Sequence, residues 1–78
     1  MSSENKAYRH SKAISKLSQR ELQVLELLAM GKSNTEIAKE LIVSVHTAKA
    51  HVCAILQKMG VQDRVQAAVK AVREGIVS

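Results

Sequence analysis

The side chains with the most chemistry to offer fall in one stretch of the chain, residues 44–59. At roughly 100° per residue, His46, Lys49, Ala50, Cys53 and Gln57 share one side of a helix there. Lys49 brings a cation with several donors, His46 and Gln57 both donate and accept, Ala50 offers a bare methyl, and none of the five is acidic. Such groups suit the edges of base pairs: Lys49 can approach guanine O6 or N7 or a phosphate, and a methyl can touch that of thymine. A helix of roughly 15 residues at 1.5 Å each is about 22 Å long, which fits the major groove of a DNA duplex.

Other chemistries find less support. His46 and His51 are five positions apart, His10 is remote, and no Cys or carboxylate completes a metal-ligand spacing, so no metal site is expected. Glu21 and Glu26 lie on one helix without a cleft. With no Ser-His-Asp set and no Gly-rich phosphate loop, neither enzymatic activity nor a cofactor is expected. For Cys53 two readings stand side by side: an inert small residue at the interface, or a redox-sensitive thiol near the Lys49 cation.

Composition bounds the frame that must hold these residues. Seventy-eight residues, 46% of them apolar, allow one small domain with a modest core and leave no room for a second. Tyr8 is the only aromatic residue, so the core must be aliphatic, and stacking on single-stranded nucleic acid is nearly excluded. No Pro and three Gly point to helices joined by short turns. A net charge of +5 favours a polyanionic partner, nucleic acid before anionic membrane. One Cys, no secretory signal and no apolar run long enough to span a bilayer lead to the expectation of a cytoplasmic protein without membrane contact.

Residues 1–16 carry Lys6, Arg9, Lys12 and Lys16 against Glu4 and show no apolar period, so they are expected to form a mobile basic tail or linker that could graze DNA phosphates. The folded domain is expected over 17–78. Ser18-x-x-Glu21 is a capping box, flanked by Leu17 and Leu22 as a hydrophobic staple, and Leu22, Leu25, Leu28 and Ala29 then recur at helical spacing with Val24 and Leu27 beside them. Helix one is predicted over 19–30, closed by Gly31. Ser33-x-x-Glu36 repeats the signature and starts a short helix two over 34–41, with Ile37, Ala38 and Leu41 inward. Ser44 caps helix three, whose apolar stripe is Ala48, Val52, Ile55, Leu56 and Met59 and which ends at Gly60. So tight a connection, with small Ala38 at the crossing, predicts a helix-turn-helix. Asp63-x-x-Gln66 starts helix four, predicted over 64–74. Val65, Ala68, Val69, Val72 and Ile76 form its apolar series, and the other face, with Ala67 and Ala71, is small enough to pack helix on helix, which suits self-association.

Taken together, Leu17-Ser18-Gln19-Arg20-Glu21, Val24-Leu25-x-Leu27-Leu28-Ala29-x-Gly31, Ser33-Asn34-x-Glu36-Ile37-Ala38, Ser44-x-x-Thr47-x-Lys49-x-His51-Val52 and Lys58-Met59-Gly60-Val61-x-x-Arg64-x-Gln66-Ala67 resemble the LuxR/GerE-type helix-turn-helix family over residues 17–76. The resemblance implies an all-α four-helix bundle in which helix three lies in the major groove and helix four pairs two copies on a two-fold site. It implies base reading from Lys49, Ala50 and Cys53, although Cys53 and Ala48 depart from the residues usual at their positions. It also implies phosphate contacts from the starts of helices two and three.

The expected base contacts are therefore Lys49, Ala50, Cys53 and His46. The expected phosphate contacts are Lys32, Asn34, Thr35, Thr47, His51 and Gln57, with His51 half-buried and Asn34 and Thr35 offering free amides at a helix start. Val65, Ala68, Val69 and Val72 are the expected dimerisation residues.

The expected function is a sequence-specific regulator of transcription acting as a homodimer on double-stranded DNA, with RNA polymerase a further candidate partner. The competing expectation is a helical module that docks on RNA polymerase or an adaptor without reading DNA; the absence of acidic residues on the outer side of helix three favours DNA. Whether the 78 residues are a whole regulator or the output domain of a longer response regulator stays open at this stage.

Overall fold

Each helix among the described residues begins where a short polar side chain takes over an amide that the helix itself cannot satisfy. Ser18 Oγ accepts from the Glu21 amide at 3.1 Å while Glu21 Oε1 accepts from the Ser18 amide at 2.9 Å. The same reciprocal pair joins Ser33 and Glu36 at 3.2 and 2.8 Å. Ser44 Oγ accepts from the Thr47 amide at 3.0 Å and Asp63 Oδ1 from the Gln66 amide at 2.9 Å. The computed structural model describes residues 16–76 and places four helices there, α1 (Gln19–Ala29), α2 (Asn34–Leu41), α3 (Val45–Met59) and α4 (Arg64–Arg73), with no strand among the described residues. The basic segment expected as a tail lies outside the described residues except for Lys16. Helix one stops at Ala29, one residue short of expectation, because Met30 has already left helical geometry (φ −80°, ψ 0°). Helix four likewise stops at Arg73, with Glu74 as its cap.

The helix ends share a second device. After α1 the amide of Lys32 returns to the carbonyl of Leu27 at 3.1 Å around Gly31, whose φ is 88°. After α3 the amide of Val61 returns to Leu56 at 3.0 Å around Gly60, φ 69°. This closure needs a left-handed residue, which glycine provides without steric cost. After α2 the same bond runs from Val43 to Ala38 at 3.0 Å, but the left-handed residue is Ile42, φ 56°. A β-branched residue in that region is strained, by about 1–2 kcal/mol or more.

The core is aliphatic. Val24 and Leu25 of α1, Ile37 of α2 and Ile55 of α3 are fully buried at its centre, and Leu17, Leu28, Val52, Met59 and Ile76 enclose them. Each fully buried Leu, Ile or Val contributes on the order of 1.5–3 kcal/mol relative to exposure. α1 packs against α3 and α4, and α2 packs against α3. Ala38 of α2 and Ala48 of α3 are both buried in the tight helix-turn-helix crossing that small residues allow.

α4 corrects one expectation. Ala67 and Ala71, read as a free face for self-association, are wholly buried in the core, and Ile76 closes over it. Val65, Val69 and Val72 are the side left in solvent, 67%, 46% and 53% exposed. The methyl-only face is the one that lets α4 lie close to α1, and apolar spacing alone does not say which of two apolar faces turns inward.

Candidate nucleic-acid interface

α3 is anchored on one side and open on the other. Ala48, Val52, Ile55 and Met59 are buried and Leu56 is partly so, while His46, Lys49, Ala50, Cys53 and Gln57 are all exposed. These five repeat at intervals of three and four, so they form one continuous strip along the 15-residue helix. The helix contains no Asp or Glu. Thr47 and His51 flank the strip half-buried, and Thr47 Oγ1 accepts from Ser44 Oγ at 3.0 Å, which fixes the hydroxyl at the helix start.

The start of α2 presents a second polar group. Ser33 is its cap, so the side chain of Asn34 is free for other work and accepts from Arg64 Nη1 at 2.8 Å through Oδ1. The amides of Asn34 and Thr35 precede the capped one and have no acceptor within the helix. Thr35 is exposed, and Lys32 stands half-buried just before the cap. The acceptor at this end, Glu36, is turned back onto Ser33, whose amide holds its carboxyl below the usual carboxylate range, with Lys32 and Lys39 adding to the effect. The expected base and phosphate residues therefore lie at the surface of α3 and at the amino end of α2, the two helices of the helix-turn-helix.

Three cationic side chains make the longer-range contacts that fix this unit to the rest of the fold. Lys58 Nζ, in the last turn of α3, pairs with Glu21 Oε1 at 2.7 Å in the first turn of α1. Lys70 Nζ of α4 donates to the carbonyl of Met59 at 3.1 Å. Arg64 donates to Asn34 and also, through Nη2, to the carbonyl of Lys32. The pairing roles of Arg64, Lys58 and Lys70 leave no local trace in the sequence, because their partners are 30, 37 and 11 positions away. Among the described residues no three His, Cys, Asp or Glu side chains converge on a metal-sized site, and Cys53 is an exposed free thiol. No helix of the described residues is long and apolar enough to cross a membrane.

Residues 15–71, spanning all of α1, α2 and α3 and most of α4, match the model of the family described as "Bacterial regulatory proteins, luxR family". The chain belongs to that family. As a luxR-family domain it is 48% identical over 62 residues to the transcriptional regulatory protein LiaR of Bacillus subtilis, a match covering 80% of this chain and 29% of LiaR. It is 43% identical over 72 residues to the transcriptional regulatory protein DegU of Brevibacillus brevis, covering 92% of this chain and 30% of DegU. It is 37% identical over 73 residues to the response regulator protein VraR of Staphylococcus aureus, covering 94% of this chain and 35% of VraR. The luxR-family domain thus spans about a third of the length of the curated relatives it matches.

Proposed function

We propose that the chain is the DNA-reading domain of a transcription regulator, with α3 laid in the major groove of double-stranded DNA and two copies joined through α4. The observation that carries this reading is the outer strip of α3: His46, Lys49, Ala50, Cys53 and Gln57, contiguous, exposed, without a carboxylate, on a helix whose other side is locked into the core. A rigid helix with donors, a cation and small side chains outward is what base-edge reading requires. Lys49, Ala50, Cys53 and His46 meet the bases. Lys32, the amides and side chains of Asn34 and Thr35, and Thr47, His51 and Gln57 meet phosphates and set the register.

The exposed Val65, Val69 and Val72, with half-buried Ala68 between them, make α4 the pairing element. They recur at intervals of four and three on one face, the pattern of a helix that packs on its own copy about a two-fold axis. The names of the relatives, transcriptional regulatory proteins and a response regulator, agree with this reading. On it, residues 17–78 form the DNA-binding unit and residues 1–16 a basic approach to it.

The test is selection of preferred sites from random duplexes, followed by anisotropy titrations at two salt concentrations. Enrichment of a two-fold or repeated half-site is expected, with log affinity falling against log salt by about 0.9 for each phosphate contact. Absence of duplex binding at low salt would reject the reading and favour a protein-docking module.

A further inference from the structure

α4 meets the core through Ala67 and Ala71, both wholly buried, and packs chiefly on α1. Methyl groups let two helices approach closely, but they offer no hydrogen bond to hold the two in a fixed relation. Two long cationic side chains supply the missing constraint. Arg64, the first residue of α4, donates Nη1 to Asn34 Oδ1 at 2.8 Å and Nη2 to the carbonyl of Lys32, at the amino end of α2. Lys70, six residues and about 9 Å further along the axis, donates Nζ to the carbonyl of Met59 at 3.1 Å, at the carboxyl end of α3. Contacts at two separated points on a rigid rod fix both its angle and its position.

Lys70 lies in the last turn of α4, where the helix dipole favours a cation, but Arg64 is not where helix stability alone would put one. Arg64 occupies the first turn of α4, where the positive end of the helix dipole opposes it, and points at the start of α2, a second positive end, beside Lys32. Its partners are an amide oxygen and a backbone carbonyl, with no carboxylate to repay the placement in Coulomb energy. What the guanidinium offers is geometry: its fork holds two acceptors in fixed relation, which an ammonium on a flexible stem does not.

We infer that Arg64 and Lys70 are positioning residues that lock α4 to the α2–α3 unit, so that the pairing of two α4 helices dictates the separation and twist of two α3 helices on DNA. The inference rests on the pairing and reading roles proposed above. In this role neither residue touches a base or the partner copy; together they turn pairing geometry into the half-site spacing that the dimer accepts.

The test uses three duplexes, two preferred half-sites at the selected spacing, the same half-sites with one base pair inserted, and a single half-site, each titrated with the wild type, Arg64→Lys and Lys70→Met. Lysine at 64 keeps the charge but not the fork, and methionine at 70 keeps the apolar stem. The wild type should lose about ten-fold or more in affinity on the inserted duplex, because simultaneous engagement of both sites is geometrically impaired. Both variants should bind the single half-site within about three-fold of the wild type while the insertion penalty shrinks to about three-fold or less. A wild type without an insertion penalty overturns the paired-reader function and this inference with it. A wild-type penalty that both variants keep overturns the inference alone. Variants that lose as much on the single half-site as on the pair, or that unfold at assay temperature, show a general structural or phosphate role and overturn the positioning role.

Discussion

Lys58 Nζ lies 2.7 Å from Glu21 Oε1, which ties the last turn of α3 to the first turn of α1. The carboxylate is almost wholly buried while the ammonium keeps substantial contact with water. Glu21 thus serves twice, as the second half of the α1 capping box and as the anchor of the proposed recognition helix.

A pH dependence follows from that pair. The hydrogen bond from Lys58, then the one from the Ser18 amide, hold the Glu21 carboxyl below its ordinary value of 4.5. A group with a lowered folded-state pKa stabilises the fold above its unfolded pKa, and that stability is lost as pH falls through the folded value. Thermal stability should therefore be flat near neutrality and decline as the medium is acidified below about pH 5. Glu21→Gln keeps an acceptor for the Ser18 amide but removes the charge facing Lys58. It should cost on the order of 1 kcal/mol at pH 7 and flatten part of the acid limb. Urea titrations of both proteins from pH 3 to 7, at intervals of about half a unit, would check this, and parallel pH profiles would remove Glu21 as the source.

Much of the fold is legible in the sequence because its signals are local. Ser18, Ser33, Ser44 and Asp63 each announce a helix start within four residues, and Gly31 and Gly60 announce an end. The outer strip of α3 is legible for the same reason: one face holds Ala48, Val52, Ile55 and Met59, so the other must be open. The orientation of α4 is not, since both of its faces are apolar and the choice depends on how closely α1 can approach Ala67 and Ala71. Nor is the Arg64 fork, whose acceptors belong to a turn 30 and 32 positions earlier in the chain. Local chemistry specifies the pieces, and their fixed relation is carried by contacts between residues far apart in sequence.

Ile42 gives a prediction about stability that needs no ligand. It is 91% exposed and holds φ at 56°, so it gains nothing from burial and bears the strain of a left-handed β-branched residue. Ile42→Gly relieves that strain at the expense of a more flexible unfolded chain, and Ile42→Asn relieves most of it at a smaller entropic expense. Each should stabilise the domain by about 0.5–1 kcal/mol, which for a domain of this size raises the Tm by several degrees. Calorimetry decides it: a lower Tm in both variants would mean that the isoleucine side chain makes a contribution its exposure conceals.

Lys49 is the one full charge on the outer strip of α3, and two roles compete for it. If its ammonium meets a guanine edge, Lys49→Ala should cost roughly 1–3 kcal/mol on the selected site and much less on random duplex. If it meets a phosphate, the loss should be the same on both, and the slope of log affinity against log salt should fall by about one contact. Anisotropy titrations of the variant on the two duplexes at several salt concentrations separate these outcomes; the first is expected, since the neighbouring Ala50 and Cys53 offer no strong donor to the bases.

The valines of α4 carry the last prediction. Val69 and Val72 are 46% and 53% exposed, and the core contact of α4 is made by Ala67 and Ala71 instead. Changing Val69 and Val72 together to Glu should therefore leave the monomer's stability within about 1 kcal/mol, because both carboxylates can stay in water. In a two-fold pairing the same change sets four carboxylates against one another across an apolar contact, where like charges cannot be relieved by solvent. Sedimentation should then report monomer at concentrations where the wild type is dimeric. Affinity for a paired site should fall to near that for a single half-site, a loss of about a hundred-fold or more, while binding to the single half-site stays close to wild type. If the double variant still sediments as the wild type does and still prefers the paired site, α4 is not where the two copies meet, and the spacing of the two recognition helices must be set elsewhere in the molecule.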